Sequence, residues 1–240
     1  MSVAPQPSRH EPRTEPRRIA LVHDYLVQDG GAERTLLALH ELYPRAPIYT
    51  LFHNPKRMHA GFRDADIRPS TLNKLPFANK LYTWYLPFMP QAIEEFDLQR
   101  YDLVISSSSS FAKGVIAAPH ALHICYLHTP TRYLWQERVG YVNEQPVPSF
   151  IKRLLPSYLH RLRQWDFQAA TRPDHLLTNS LLSQSRIKRY YARPSVVLPP
   201  PVDVAQIPLS TKPGVYWLTG GRLVAYKRFD LVVEAFAKLN

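Results

Sequence analysis

The chain has 240 residues, 45% hydrophobic and 20% charged, with 30 Lys and Arg against 19 Asp and Glu. That composition excludes a disordered polymer, and the net charge of +11 calls for an anionic partner or a solvated basic surface. The single cysteine, Cys125, excludes an internal disulfide and a cysteine-built metal cluster, and no apolar run approaches the roughly 18 residues of a membrane span.

Residues 1–17 are rich in proline and charge and lack the apolar core of a secretory signal, so a disordered tail is expected there. Arg18–His23 is an apolar run closing on polar residues, the pattern of a buried parallel strand. A loop with Gly30 and Gly31 follows, then a helix with Leu36, Leu37, Leu39 and Leu42 at helical spacing, stopped by Pro44. Ala46–Phe52 reads as the second strand and Ala65–Ser70 as a weaker third. The proline-punctuated aromatic stretch Leu75–Phe96 is expected to hold short helices. "YDLVISSS" and "LHICYLH" are strands, Ser149–Ala170 is a basic helix, "DHLLTNS" a strand, "LLSQSRIKRYY" a helix and "PSVVLPP" a short strand. After a proline-rich linker, "VYWLTGGR" begins a further strand and an amphipathic helix follows it. Strands alternating with helices predict a parallel α/β sheet. The expected domains are a Rossmann-like unit over 18–200, a linker over 201–214, and the first strand and helix of a second Rossmann domain over 215–240.

Ligands of open α/β sheets sit beyond the carboxyl ends of the strands, so the residues there are the candidates. Gly30-Gly31 before a helix would let backbone N–H groups approach an anion, or is a tight loop and nothing more. Lys113 follows the serine run 106–110, which reads either as a hydroxyl-rich contact surface or as a flexible turn. His128 stands where a strand leaves the sheet and could hydrogen-bond a ligand or act in acid–base work; Arg132 follows it. Arg222 and Lys227, after the last strand, suit a diphosphate as fork and point charge, or are two surface cations. The chain has no G-x-G-x-x-G, no Walker lysine and no G-x-S-x-G. No metal-ligand spacing appears, so neither metal nor cofactor is expected. Nor does any nucleic-acid motif appear, and no nucleic-acid partner is expected.

Taken in order, "RIALVHDYLVQDGGAER", "YDLVISSSSSFAKGV", "HICYLHTPTRYLW", "LLTNS", "VVLPPPVD" and "GGRLVAYKRFDLVVEAF" resemble the family-four retaining glycosyltransferases of two-Rossmann GT-B architecture. Within them the chain looks most like bacterial mannosyltransferases of O-antigen or exopolysaccharide assembly. The resemblance implies hexose transfer with retention, mannose from GDP-mannose being favoured, onto a lipid-diphosphate or polysaccharide acceptor. By the same resemblance Gly30 and Gly31 line the cleft, His128 contacts the donor sugar, and Arg222 with Lys227 neutralises the leaving diphosphate. The family's acidic motif is missing, since Glu234 lies in the wrong helix to supply it. A fragment inactive on its own is therefore expected, the alternative being an acceptor-binding subunit that needs a donor-binding partner chain. A cytoplasmic place is expected, peripheral on the inner membrane face, with Lys152, Arg153, Arg161 and Arg163 against anionic lipid.

Overall fold

A computed structural model describes residues 18–78, 82–137, 140–142, 148–204, 207, 214–221 and 227–239. Strand β1 (Ile19–Leu26) has alternate residues committed to opposite faces of a sheet. Ala20 and Val22 enter one core with Leu51, Val104, Leu159 and Leu162. Leu21 enters the other with Leu36, Ile48, Phe62 and Ile105. Around β1 lie β2 (Ile48–His53), β3 (Ile67–Pro69), β4 (Leu103–Ser108), β5 (Leu122–Leu127), β6 (His175–Thr178) and β7 (Val196–Val197). All pair in parallel, in the order β3-β2-β1-β4-β5-β6-β7. Burial on both faces explains why these strands read as continuous apolar runs rather than alternating ones.

The helices are α1 (Gly31–Leu42), α2 (Met89–Glu94), α3 (Arg132–Trp135), α4 (Ser149–Ala169), α5 (Leu181–Tyr191) and α6 (Phe229–Phe236). A 3₁₀ segment, Tyr82–Phe88, precedes α2. Strand β1 runs three residues beyond the expected His23, because Tyr25 and Leu26 still find partners in Phe52 and His53 of β2. The chain steps from β1 outward to β2 and β3, then returns to β4 on the other side of β1. The carboxyl ends of β1 and β4 therefore flank the topological switch point, where open α/β sheets form a crevice.

The chain divides after Pro201 into two compact units. The first contains the seven-stranded sheet. In the second, α6 has no buried residue, and the strand expected at "VYWLTGG" is not formed over Val215–Gly221. Val215, Tyr216, Trp217 and Leu218 are exposed. A strand persists only when its N–H and C=O groups are paired, and no described residue pairs with this run. The parallel α/β fold is thus seen in the first unit, and a second Rossmann domain is not.

Candidate active site

The floor of the crevice is built around Asp24, one residue past His23 in β1. Its buried carboxylate accepts four successive backbone N–H groups, from Ser109 (2.5 Å), Ser110 (2.9 Å), Phe111 (2.8 Å) and Ala112 (2.6 Å). The Ser108 hydroxyl donates a longer bond of 3.5 Å. A run of N–H groups curled in this way is an anion-binding nest, and here the protein's own carboxylate fills it. The serine run is therefore an ordered turn wrapped on Asp24. Ser106, Ser107 and Ser108 are fully buried and Ser109 alone is exposed.

Lys113, expected to bind substrate, follows that turn and points inward. Its ammonium, with no solvent exposure, donates to Asp166 Oδ1 at 2.6 Å, to the Thr131 hydroxyl at 3.3 Å and to the Ser110 carbonyl. Asp166 also accepts from Thr131 (2.6 Å), Trp135 Nε1 (2.7 Å) and Tyr191 (2.7 Å). The charge of Lys113 is thus committed to a buried ion pair joining the β4 turn, α3, α4 and α5. The physical reason is the 3₁₀ turn Ala112–Gly114, which seats all three residues in the interior.

His128 stands at the end of β5, partly buried, and its Nε2 lies 3.0 Å from the Ser107 hydroxyl. Burial, reinforced by the neighbouring His23, lowers its pKa from 6.5 to about 4, against a weaker upward pull from Asp24 and Glu33. At neutral pH it is an uncharged imidazole, able to donate from one ring nitrogen and accept at the other.

On the other side of Ser107 lies His23, buried, with Nδ1 3.1 Å from the Ser107 carbonyl oxygen. A carbonyl only accepts, so Nδ1 carries the proton. Its Nε2 faces Glu33 Oε1 at 3.9 Å. Glu33 is the third residue of α1, so it brings the Gly30–Gly31 turn into the same cluster. Burial pushes its carboxyl up, but the electrostatic attraction of the nearby His23, with help from the backbone and Gln28, outweighs this and holds it below the ordinary value. Gln28 donates to Oε1 at 3.1 Å, while Oε2 is buried without a partner.

The two glycines differ. A Cβ on Gly30 would lie 2.8 Å from Glu33 Oε2, whereas a Cβ on Gly31 would meet nothing within 4 Å. Gly30 is small because the protein fills the space beside it, and Gly31 faces space the protein leaves open. Arg132 opens α3 four residues past His128 and pairs with Glu137.

The structure thus groups Gly30, Gly31 and His128 through His23, Glu33 and Ser107, and turns Lys113 away. Lys227 belongs to the second unit, its ammonium beside Gly221, which has φ of +151°; Arg222 lies outside the described residues. Asp24 and Glu33 were not among the expected site residues. The sequence does place Asp24 at a strand end, and Glu33 three residues after Gly30, the spacing at which a helix's first turn meets its cap. Cys125 is buried and its pKa is pushed up to about 12, so it is no nucleophile. Among the described residues no group of three His, Cys, Asp or Glu is placed to hold a metal ion. A hollow of about 500 Å³ beside Arg18, Tyr43 and Tyr101 opens at the amino ends of the strands, away from this cluster.

Residues 29–206 match the family described as Glycosyltransferase Family 4, a span that takes in Gly30, Gly31, Lys113, His128 and Arg132. This chain belongs to that family. Its members transfer sugars from nucleotide-sugar donors to acceptors. Among solved structures it is similar to the wall teichoic acid polymerase TagF, at 12% identity and a TM-score of 0.36 over 75% of this chain. It spans 38% of the length of that polymerase. No curated protein matches.

Proposed function

We propose that this family-four glycosyltransferase domain holds the acceptor of a hexose transfer that proceeds with retention. The hexose is mannose from GDP-mannose, and the acceptor is a lipid-linked diphosphate sugar or a growing polysaccharide. The observation that carries the reading is the pairing of an uncharged His128 with the open space over Gly31, at the switch point of the sheet. An uncharged imidazole suits the hydroxyls of the donor sugar and of the acceptor that meets it, exchanging hydrogen bonds with either without the desolvation cost of a cation. The N–H groups of the first turn of α1 suit a phosphate oxygen above Gly31. In the second unit, Arg222 and Lys227 are assigned to the departing nucleoside diphosphate, where two cations offset developing negative charge. We place the protein in the cytoplasm at the inner face of the membrane.

The test is calorimetric titration of the chain with a short-chain lipid-diphosphate sugar, beside the same sugar lacking the diphosphate. Binding that weakens in both His128→Ala and Gly31→Ala is expected. A wild type that ignores the lipid-diphosphate sugar, or variants that bind it unchanged, would remove the acceptor reading. Competition among GDP-mannose, UDP-glucose and UDP-N-acetylglucosamine tests the donor, and preference for a uridine nucleotide overturns the mannose assignment.

A further inference from the structure

Beside the site, the first unit carries an apolar surface that its own core does not use. Phe77, Trp84, Phe88 and Leu154 are 71%, 65%, 56% and 67% exposed. They come from three segments held against one another. The Tyr85 hydroxyl donates to the Pro76 carbonyl at 2.6 Å, and the Tyr158 hydroxyl of α4 donates to the Leu86 carbonyl at 3.0 Å. Within the 3₁₀ segment, Tyr82, Tyr85 and Leu86 turn inward onto the core, leaving Trp84, Pro87 and Phe88 outward. Tyr82 packs on Tyr25 and Phe52, at ring separations of 5.4 and 5.8 Å. Those residues sit in the carboxyl-terminal halves of β1 and β2, so the patch borders the end of the sheet that carries His128.

The charge around it is one-sided. Residues 67–93 contain no Asp or Glu, and neither do residues 145–165. Lys74, Arg153 and Arg161 of these segments are exposed, while Arg163 donates to the Leu134 carbonyl at 2.7 Å. Exposed aromatic and aliphatic side chains accompanied by cations, on segments that carry no acid, match the headgroup boundary of an anionic bilayer. A protein partner of ordinary composition would present both signs of charge to these cations, and a second copy would bring cation against cation.

We propose that this surface seats the domain on an anionic lipid leaflet, with Trp84, Phe88, Phe77 and Leu154 entering the interface and Lys74, Arg153 and Arg161 resting on phosphates. The acceptor crevice then opens beside the membrane. Vesicle binding needs neither donor nor acceptor, so this seat stands or falls apart from the sugar-transfer reading.

The experiment is co-sedimentation of the full chain with vesicles of equimolar phosphatidylglycerol and phosphatidylethanolamine, against vesicles of phosphatidylcholine alone. Binding to the anionic vesicles only is expected. It should fall about fivefold for each cation removed in Arg153→Gln and Arg161→Gln, and roughly tenfold in the double variant Trp84→Ser/Phe88→Ser. Because all four side chains are exposed, melting temperatures should not move, and a variant that does melt early is replaced by Leu154→Ser. Equal binding to phosphatidylcholine, or anionic binding indifferent to both sets of substitutions, overturns the proposal. So does a dimer in sedimentation velocity that Trp84→Ser/Phe88→Ser dissociates, since the patch would then be covered by a second copy.

Discussion

Replacing each glycine of the Gly30–Gly31 pair with alanine should separate ligand space from packing space. Gly31 is the first residue of α1 and lies outside the left-handed region, and its Cβ would touch nothing within 4 Å. Alanine there is sterically free and removes backbone freedom from the unfolded chain, so stability should hold or rise by about 0.4–1 kcal/mol. Gly30 has extended backbone, φ −138° and ψ −171°, which any residue adopts. Its difficulty is the Glu33 carboxylate 2.8 Å from a new methyl group. That carboxylate is pinned by Gln28 at 3.1 Å and faces His23 at 3.9 Å, so it can yield only by giving up partners inside the protein. The cost should be roughly 1–3 kcal/mol, a fall in Tm of about 2–12 °C for a unit of this size. Thermal unfolding and titration with the lipid-diphosphate sugar read the two effects separately. Gly31→Ala should melt at or above the wild type and bind at least about tenfold more weakly, a loss of some 1.4 kcal/mol. Gly30→Ala should melt early. If Gly31→Ala binds normally, the open space is not ligand space; if Gly30→Ala melts normally, Glu33 is not held as described.

Asp24→Ala leaves four backbone N–H groups, three of them on buried residues, without an acceptor and should destabilise the first unit by about 3 kcal/mol or more, with Asp24→Asn intermediate; denaturant midpoints decide. Lys113→Met should cost roughly 3–5 kcal/mol by stranding the Asp166 charge, while Lys113→Met/Asp166→Leu should recover part of it. A double variant no more stable than Lys113→Met would show that the other donors to Asp166 matter more than the lysine. Acid should destabilise the fold between about pH 6.5 and 4. His123 and His128 each have a folded pKa near 4 against an ordinary 6.5, so the unfolded chain takes up protons first as pH falls through that window. Below about pH 4 the folded form protonates too and this contribution stops growing. Tm measured against pH should fall less steeply in His128→Asn than in the wild type, and an unchanged slope would contradict the assignment.

The sheet was largely legible because buried parallel strands leave an unambiguous local trace. "RIALVH", "PIYTLF", "YDLVIS" and "LHICYL" are apolar runs with a polar residue directly after them, and each holds a strand. The places of His128 after a strand and of Gly30–Gly31 before a helix were legible for the same reason, since strand ends and pre-helix glycines are local features. Lys113 was not. Its partner Asp166 lies 53 residues away, and in the sequence a buried lysine looks like a surface one. The serine run misled similarly: hydroxyls in a row suggest flexibility, but the ordering force is a carboxylate 85 to 88 residues earlier. The strand at "VYWLTGG" has the right residues, but pairing rather than propensity makes a strand.

That same wrap on Asp24 imposes an order on biosynthesis. When β1 emerges from the ribosome, none of the N–H groups that will bind its carboxylate has been made; the last of them belongs to Ala112. At ribosomal speeds of about 5–20 residues per second the interval is on the order of ten seconds. Through it β1 can join β2 but cannot close against β4, and Asp24 must remain in water. The centre of the finished sheet thus closes only after the β2–β3 flank has been made, and before β5, β6 and β7 exist to extend it.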